Sequence, residues 1–192
     1  MAAIGSIRSF VAVLLPDAVR AALAAEIERL RAAARNVDWV AADNLHVTLK
    51  FLGSVAPGRL ADTEAALGRV AAAAPPFDLT LGGIGAFPTS SRPRVIWAGV
   101  LGGRDALGTL SGRVHDALAD LGFEREARAY SPHVTLGRVR APRRDAALAA
   151  VIEAAAGRGF GTLRVNRLVL MRSDPSPRGS RYTALVSWPL GP

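Results

Sequence analysis

Apolar side chains recur along this chain at two periods. Behind Pro16, Val19, Leu23, Ile27, Leu30 and Ala34 follow at spacings of four and three, with Arg20, Glu28 and Arg31 facing away. That is the stripe of an amphipathic helix. The same spacing runs from Pro57 to about Ala74, with Leu60, Leu67 and Val70 inward. It returns from Arg104 to Leu121, with Leu107, Leu110, Val114, Leu118 and Leu121, and again from near Arg144, with Leu148, Val151, Ile152 and Ala155. Between these stripes lie segments of period two, or apolar throughout, which read as strands: Ser9–Leu14, Leu45–Leu52, Phe77–Leu81, Val95–Val100, Ser131–Val139, Thr162–Val165, Arg167–Met171 and Tyr182–Trp188. Glycine and proline clusters at 82–85, 88–93 and 174–179 punctuate them. Gly82-Gly83-Ile84-Gly85 lacks the spacing of a nucleotide-cradling loop and opens no helix, so a tight turn between strands is expected there. The Asp174–Gly179 turn is expected to be a mobile loop near a site.

The chain has 192 residues, half of them apolar and 21% charged, enough for one well-cored globule. No stretch reads as a linker, so residues 1–192 are expected to form one domain. Twenty-four basic and 16 acidic side chains leave a net charge of +8, and Lys50 is the single lysine. A GC-rich genome accounts for arginine in place of lysine. The excess of guanidinium, whose planar fork matches phosphate, points to a polyanionic ligand. There is no cysteine, which excludes disulfides, thiolate catalysis and Cys-based zinc sites. The apolar run Ser9–Leu15 is too short for a signal-peptide core and meets Pro16 and Asp17 at once. No apolar run reaches the roughly 18 residues of a membrane span. A soluble cytoplasmic protein, monomeric and without membrane contact, is the expectation.

One tetrapeptide carries chemistry. His-Val-Thr-Leu occurs at 46–49 and again at 133–136, and these copies hold two of the three histidines. In a strand, alternation sets His46 and Thr48 on one face, with Leu45, Val47 and Leu49 on the other; His133 and Thr135 stand likewise against Val134 and Leu136. If the two strands approach, two imidazoles and two hydroxyls converge on one cleft. Imidazole titrates near neutrality, so one ring can take a proton while the other gives one. The hydroxyls can donate to phosphate oxygens as charge builds on them. No carboxylate or third histidine stands at metal-ligand spacing beside either motif, so neither metal nor cofactor is expected. His115, off the apolar stripe of its helix, is expected at the surface or on the flank.

Beyond the repeated motif, the chain resembles the RNA 2′,3′-cyclic phosphodiesterases, long called 2′-5′ RNA ligases, of the two-histidine (2H) phosphoesterase superfamily. The residues that carry the resemblance are Arg8–Pro16, Asn44–Gly53, Gly85–Pro88, Pro93–Gly99, Pro132–Arg138, Tyr182 and Trp188-Pro189-Leu190, in that order. The resemblance implies an α+β fold that is bilobal and pseudo-two-fold. Two antiparallel sheets face a central groove, helices lie outside, and each lobe contributes one His-x-Thr-x strand. It implies metal-independent hydrolysis of RNA 2′,3′-cyclic phosphate ends to 2′-phosphomonoesters, with reversible 2′-5′ ligation. It assigns catalysis to His46 as general acid and His133 as general base, and substrate binding to Thr48, Thr135 and Arg138. Simple alternation sets Arg138 on the aliphatic face, so Gly137 must relax the strand for that role. The partner is an RNA carrying a cyclic phosphate end, tRNA-derived ends among them. The loop at 174–181 departs from the family by an acid and by Arg178 and Arg181, which leaves the preferred RNA end open.

Other readings keep a place. The same site could serve 2′-5′ oligonucleotides or an ADP-ribose cyclic phosphate, or the chain could be a non-catalytic RNA-binding module; two titrating groups argue against the last. Phe51, Phe87, Tyr130 and Tyr182 are aromatic candidates for base stacking, set against an ordinary place in the core. Arg92, Arg94, Arg178 and Arg181 could line an electropositive groove, and each alone is an ordinary surface charge.

Overall fold

The computed structural model describes residues 5–176 and 179–192. Helices form where the stripes run: α1 (Asp17–Ala33), α2 (Pro57–Ala72), α3 (Arg104–Ala119) and α4 (Ala146–Ala154). Pro57 opens α2 at a position whose N–H has no helical partner. Asp145 caps α4, its carboxylate accepting from the Leu148 N–H at 3.0 Å. The strands are β1 (Ile7–Leu14), β2 (Val37–Trp39), β3 (His46–Val55), β4 (Phe77–Phe87), β5 (Val95–Gly102), β6 (His133–Val139), β7 (Gly159–Val165), β8 (Arg167–Ser176) and β9 (Gly179–Pro189).

Three local expectations need correction or extension. β2 was not foreseen, because three residues are too few to display a period. The turn expected at 82–85 is instead the middle of β4, which keeps pairing with β5 through Ile84↔Ala98 and Gly85↔Trp97. The glycines there make room for neighbours: a Cβ on Gly82 would stand 2.4 Å from Leu101 Cδ1, and one on Gly85 2.3 Å from the Trp97 ring. In place of the expected loop from Asp174, β8 and β9 stay paired out to Ser176↔Gly179. Pro177 and Arg178 lie outside the described residues.

All strand pairings are antiparallel, in the order β7-β4-β5-β6-β3-β1-β8-β9, with β2 added on β6. The order reads outward in both directions from the β6–β3 contact, which makes two lobes, β6-β5-β4-β7 and β3-β1-β8-β9. Between β3 and β6 the pairing is reduced to Val47↔Val134, so the lobes splay from a narrow seam into a curled, half-barrel sheet. Each lobe repeats one path, β1–α1–β3 in the first and β5–α3–β6 in the second, and the helices are exchanged. α1, which leaves β1, packs on α4 and β7 of the other lobe, while α3, which leaves β5, packs on α2 and β3.

One continuous core lies between sheet and helices. Leu23, Ile27 and Leu30 of α1, Leu67 of α2, Leu107, Leu110, Val114 and Leu118 of α3, and Leu148 and Ile152 of α4 meet the inner residues of both lobes. A second, smaller cluster of Phe10, Ala12, Val169 and Met171 with Tyr182 occupies the opposite face, in the lobe of β1. No helix among the described residues is long and apolar enough to cross a membrane.

Candidate active site

The two His-Val-Thr-Leu segments sit at the seam. Val47, Leu49, Val134 and Leu136 are each at most 1% exposed, buried against the helices. At about 1.5–3 kcal/mol for each buried aliphatic side chain, this holds the facing of both strands. A one-residue slip would drive imidazole and hydroxyl into the core and valine out. With Val47 opposite Val134 in an antiparallel pair, His46 stands across from Thr135 and Thr48 across from His133. The structure thus brings His46, Thr48, His133 and Thr135 onto one face, around a local two-fold axis.

Both rings are aimed by backbone. The Nδ1 of His46 lies 2.7 Å from the Asn44 carbonyl, and the Nδ1 of His133 lies 2.7 Å from that of Ser131. A carbonyl only accepts, so each Nδ1 carries the proton and each neutral ring presents a bare Nε2 to the groove. Burial pushes both imidazoles below their ordinary pKa, and these carbonyl bonds oppose it in part. The charge of His133 lowers His46 further, and that of Arg138 lowers His133. These influences favour the neutral form of both rings, and an anion between them would favour the charged form.

The rings differ in their surroundings. Thr48 Oγ1 is 3.0 Å from the Nε2 of His46 and donates to it. Phe10 lies against the same ring at 4.7 Å between centroids, and Tyr182 meets it edge-on at 5.3 Å. His133 has Phe87 edge-on at 5.2 Å, and among the described residues its Nε2 has no hydrogen-bond partner.

A bulge after each motif breaks the alternation. On β3, Ala12 and Val11 of β1 pair with Thr48 and Lys50, so Leu49 is the extra residue; on β6, Trp97 and Ile96 of β5 pair with Thr135 and Gly137, so Leu136 is. The next residue then also turns inward, and the one after it reaches the groove. This resolves the parity of Arg138, which is exposed and lines the cavity together with Phe51, its counterpart on β3. Gly137 is required where the chain turns in: a Cβ there would lie 2.7 Å from Val37 Cγ1 and 2.8 Å from Trp39 Cε3. Its counterpart Lys50 is 2% exposed and runs under α3, donating to the Glu124 carbonyl at 2.6 Å with His115 Nδ1 at 3.3 Å. His115 is thus half-buried against β3 rather than a plain surface residue.

His46, Thr48, Thr135 and Arg138, though not His133, line a cavity of about 550 Å³ whose other residues come mostly from the lobe of β1, large enough for a nucleotide. Of the aromatic candidates, Phe51 (59% exposed) and Tyr182 line it, and Phe87 touches His133. Tyr130 is taken up structurally, donating its hydroxyl to the Thr48 carbonyl at 2.9 Å and so tying the approach to β6 onto β3. Arg92, Arg94 and Arg181 are exposed outside the lining, and Arg178 lies outside the described residues. Sequence reasoning did not single out Arg8, Phe10 and Asn44. The first two share the groove face of β1 with Ala12, a signal that alternation could have supplied. Among the described residues no group of three or more His, Cys, Asp or Glu is placed to hold a metal ion.

Known proteins carry the same frame. The profile of the 2′-5′ RNA ligase superfamily matches residues 19–177. An RNA 2′,3′-cyclic phosphodiesterase of Methanothermobacter thermautotrophicus is 34% identical over 177 residues, 92% of this chain and 95% of that one. The protein of that name from Escherichia coli is 35% identical over 152 residues, 79% and 78% of the two chains. Among solved structures, TT0787 of Thermus thermophilus superposes with a TM-score of 0.82 at 30% identity, covering 96% and 98% of the two chains. LigT of E. coli in its apo form gives 0.75 at 28%, covering 98% and 99%. With both motifs on one seam and this likeness along nearly the whole length, the chain belongs to the 2′-5′ RNA ligase superfamily.

Proposed function

We propose that this protein hydrolyses 2′,3′-cyclic phosphate ends of RNA to 2′-phosphomonoesters, with His46 and His133 as the general acid and base. The observation that carries the reading is the cross-strand quartet, His46 opposite Thr135 and Thr48 opposite His133, with both Nε2 atoms turned to one groove. The names of the relatives support the substrate class, and so does a solved complex of E. coli LigT with 3′-AMP. His133, its Nε2 unpartnered, takes a proton from water as the water oxygen bonds to phosphorus. The bond from phosphorus to the 3′ oxygen breaks, and His46, protonated beside the phosphate, gives its proton to that oxygen. Thr48, Thr135 and Arg138 hold the non-bridging oxygens, where negative charge grows. Both histidines come from one chain, so a monomer suffices. Run with an RNA 5′-hydroxyl in place of water, the same pair forms a 2′-5′ linkage.

The test is phosphorus NMR of products from an oligonucleotide with a cyclic phosphate end, with and without EDTA. A 2′-phosphate formed at the same rate in both is the expected result. A 3′-phosphate would overturn the assigned roles, and activity that EDTA abolishes and a divalent ion restores would overturn the acid–base mechanism.

A further inference from the structure

The cavity is far larger than one phosphate, and its lining contains no carboxylate. It holds two arginines, Arg8 and Arg138, and among the described residues neither is ion-paired. They occupy different stations. Arg138 lies close enough to His133 for its charge to lower that ring's pKa, whereas Arg8 figures in the electrostatics of neither histidine. On β1, Arg8 is four residues from Ala12, the partner of Thr48. At the usual strand rise that is roughly 13 Å of backbone.

A second residue marks the Arg8 end. β1 and β8 pair from Ala12↔Val169 to Ser9↔Arg172, and the next residue on each strand beyond that last pair, Arg8 and Ser173, lines the cavity. Ser173 is 8% exposed, lines the cavity, and its hydroxyl has no hydrogen-bond partner among the described residues. A hydroxyl that faces the cavity and is not engaged by the protein is free to donate to a ligand held there. On its other side Ser173 pairs with Tyr182, whose ring meets His46. The row Arg8–Ser173–Tyr182 therefore runs to the edge of the catalytic pair. The nearest acid of that hairpin, Asp174, is held by Arg172 at 2.8 Å and does not neutralise Arg8.

We propose that Arg8 and Ser173 form a second phosphate site, which binds the phosphate on the 5′ oxygen of the nucleoside whose cyclic phosphate reacts. This rests on the catalytic reading above and deepens it. One nucleoside spans the cavity, its cyclic phosphate at the histidines and its 5′ phosphate between guanidinium and hydroxyl. The rest of an RNA chain leaves past exposed Arg8. The enzyme thereby prefers a polymer end, or a 5′-phosphorylated nucleotide, to a bare 2′,3′-cyclic nucleoside phosphate.

The test compares three substrates with the same terminal base: a 2′,3′-cyclic nucleotide with a free 5′-hydroxyl, the same with a 5′-phosphate, and a dinucleotide with a cyclic end. The protein should favour the last two by roughly tenfold or more in kcat/KM, mostly through KM, the scale of one charge-assisted contact. In Arg8→Gln that ratio should fall to near one, Arg8→Lys should keep part of it, and Ser173→Ala should lower it a few-fold. A preference for the dinucleotide alone would assign the site to a diester, and a preference for both to phosphate in general. No preference in the natural protein, or one that survives Arg8→Gln, overturns the proposal. If no substrate is turned over, the catalytic reading fails. Calorimetry of a nucleoside 2′,5′-bisphosphate against the 2′-phosphate then tests the second site by itself, with the same loss expected in Arg8→Gln.

Discussion

The two lobes present the same four residues on the same bulged strand, yet they build unlike halves of a site. In the lobe of β3 the imidazole is enclosed by Phe10 and Tyr182 and bonded to Thr48, and the residue after the bulge is an aromatic, Phe51. In the lobe of β6 the Nε2 is unpartnered among the described residues, and the corresponding position is a cation, Arg138. Most of the cavity lining comes from the first lobe, to which the second adds Thr135 and Arg138. A two-fold backbone is thus dressed asymmetrically. That is what a directional substrate requires, since a cyclic phosphate has a different group on either side of phosphorus. The enclosed ring suits a proton donor to the ester oxygen, and the open one a base that meets water.

That contrast breaks most sharply at the histidines. Replacing either by Ala should lower kcat roughly 10²–10⁴-fold, the usual share of a positioned proton carrier. An aryl phosphodiester whose leaving group needs no proton sharpens the assignment. It should restore much of the loss in His46→Ala and little in His133→Ala. Equal rescue of both would show that the two halves are interchangeable.

At the bulges the effect should be smaller and should fall on stability as well as rate. Gly137→Ala sets a methyl against Val37 and Trp39, both packed, and should cost about 1–3 kcal/mol in denaturant unfolding. It should also raise KM, because Arg138 is displaced with the strand. An unchanged midpoint would mean that β2 yields easily and that the bulge does not depend on glycine.

Smallest is a shift of pH profile. Burial is the main cause of the low His133 pKa and Arg138 adds to it. Removing the cation in Arg138→Gln should let that pKa rise part of the way toward its ordinary value. If His133 must be neutral to act, the acidic limb of kcat/KM then moves to higher pH. A limb that stays in place, or moves to lower pH, would take the base role away from His133.

Much of this was written in one dimension. The helices and most strands follow from periodicity because a stripe or an alternating face must be buried whatever the topology. The facing of His46, Thr48, His133 and Thr135 follows from the same rule, since valine and leucine on either side leave polar groups only one direction. What escaped has a common cause, which is that it depends on neighbours distant in the chain. Gly82–Gly85 reads as a turn, and only the ring of Trp97 and the side chain of Leu101 reveal a strand that gives way to bulk. Nothing in the local pattern buries Lys50; only His115 of α3, folded over from the other lobe, and the Glu124 carbonyl in the segment after that helix surround its ammonium. Arg138 reads as inward by parity, and a bulge set by pairing with β5 turns it out. Arg8 and Ser173 are far apart in sequence and become neighbours only across β1 and β8. Local pattern determined which faces are buried, because burial is a property of each segment's own side chains. Register and long-range pairing decided which polar groups meet, because that depends on distances no single segment contains.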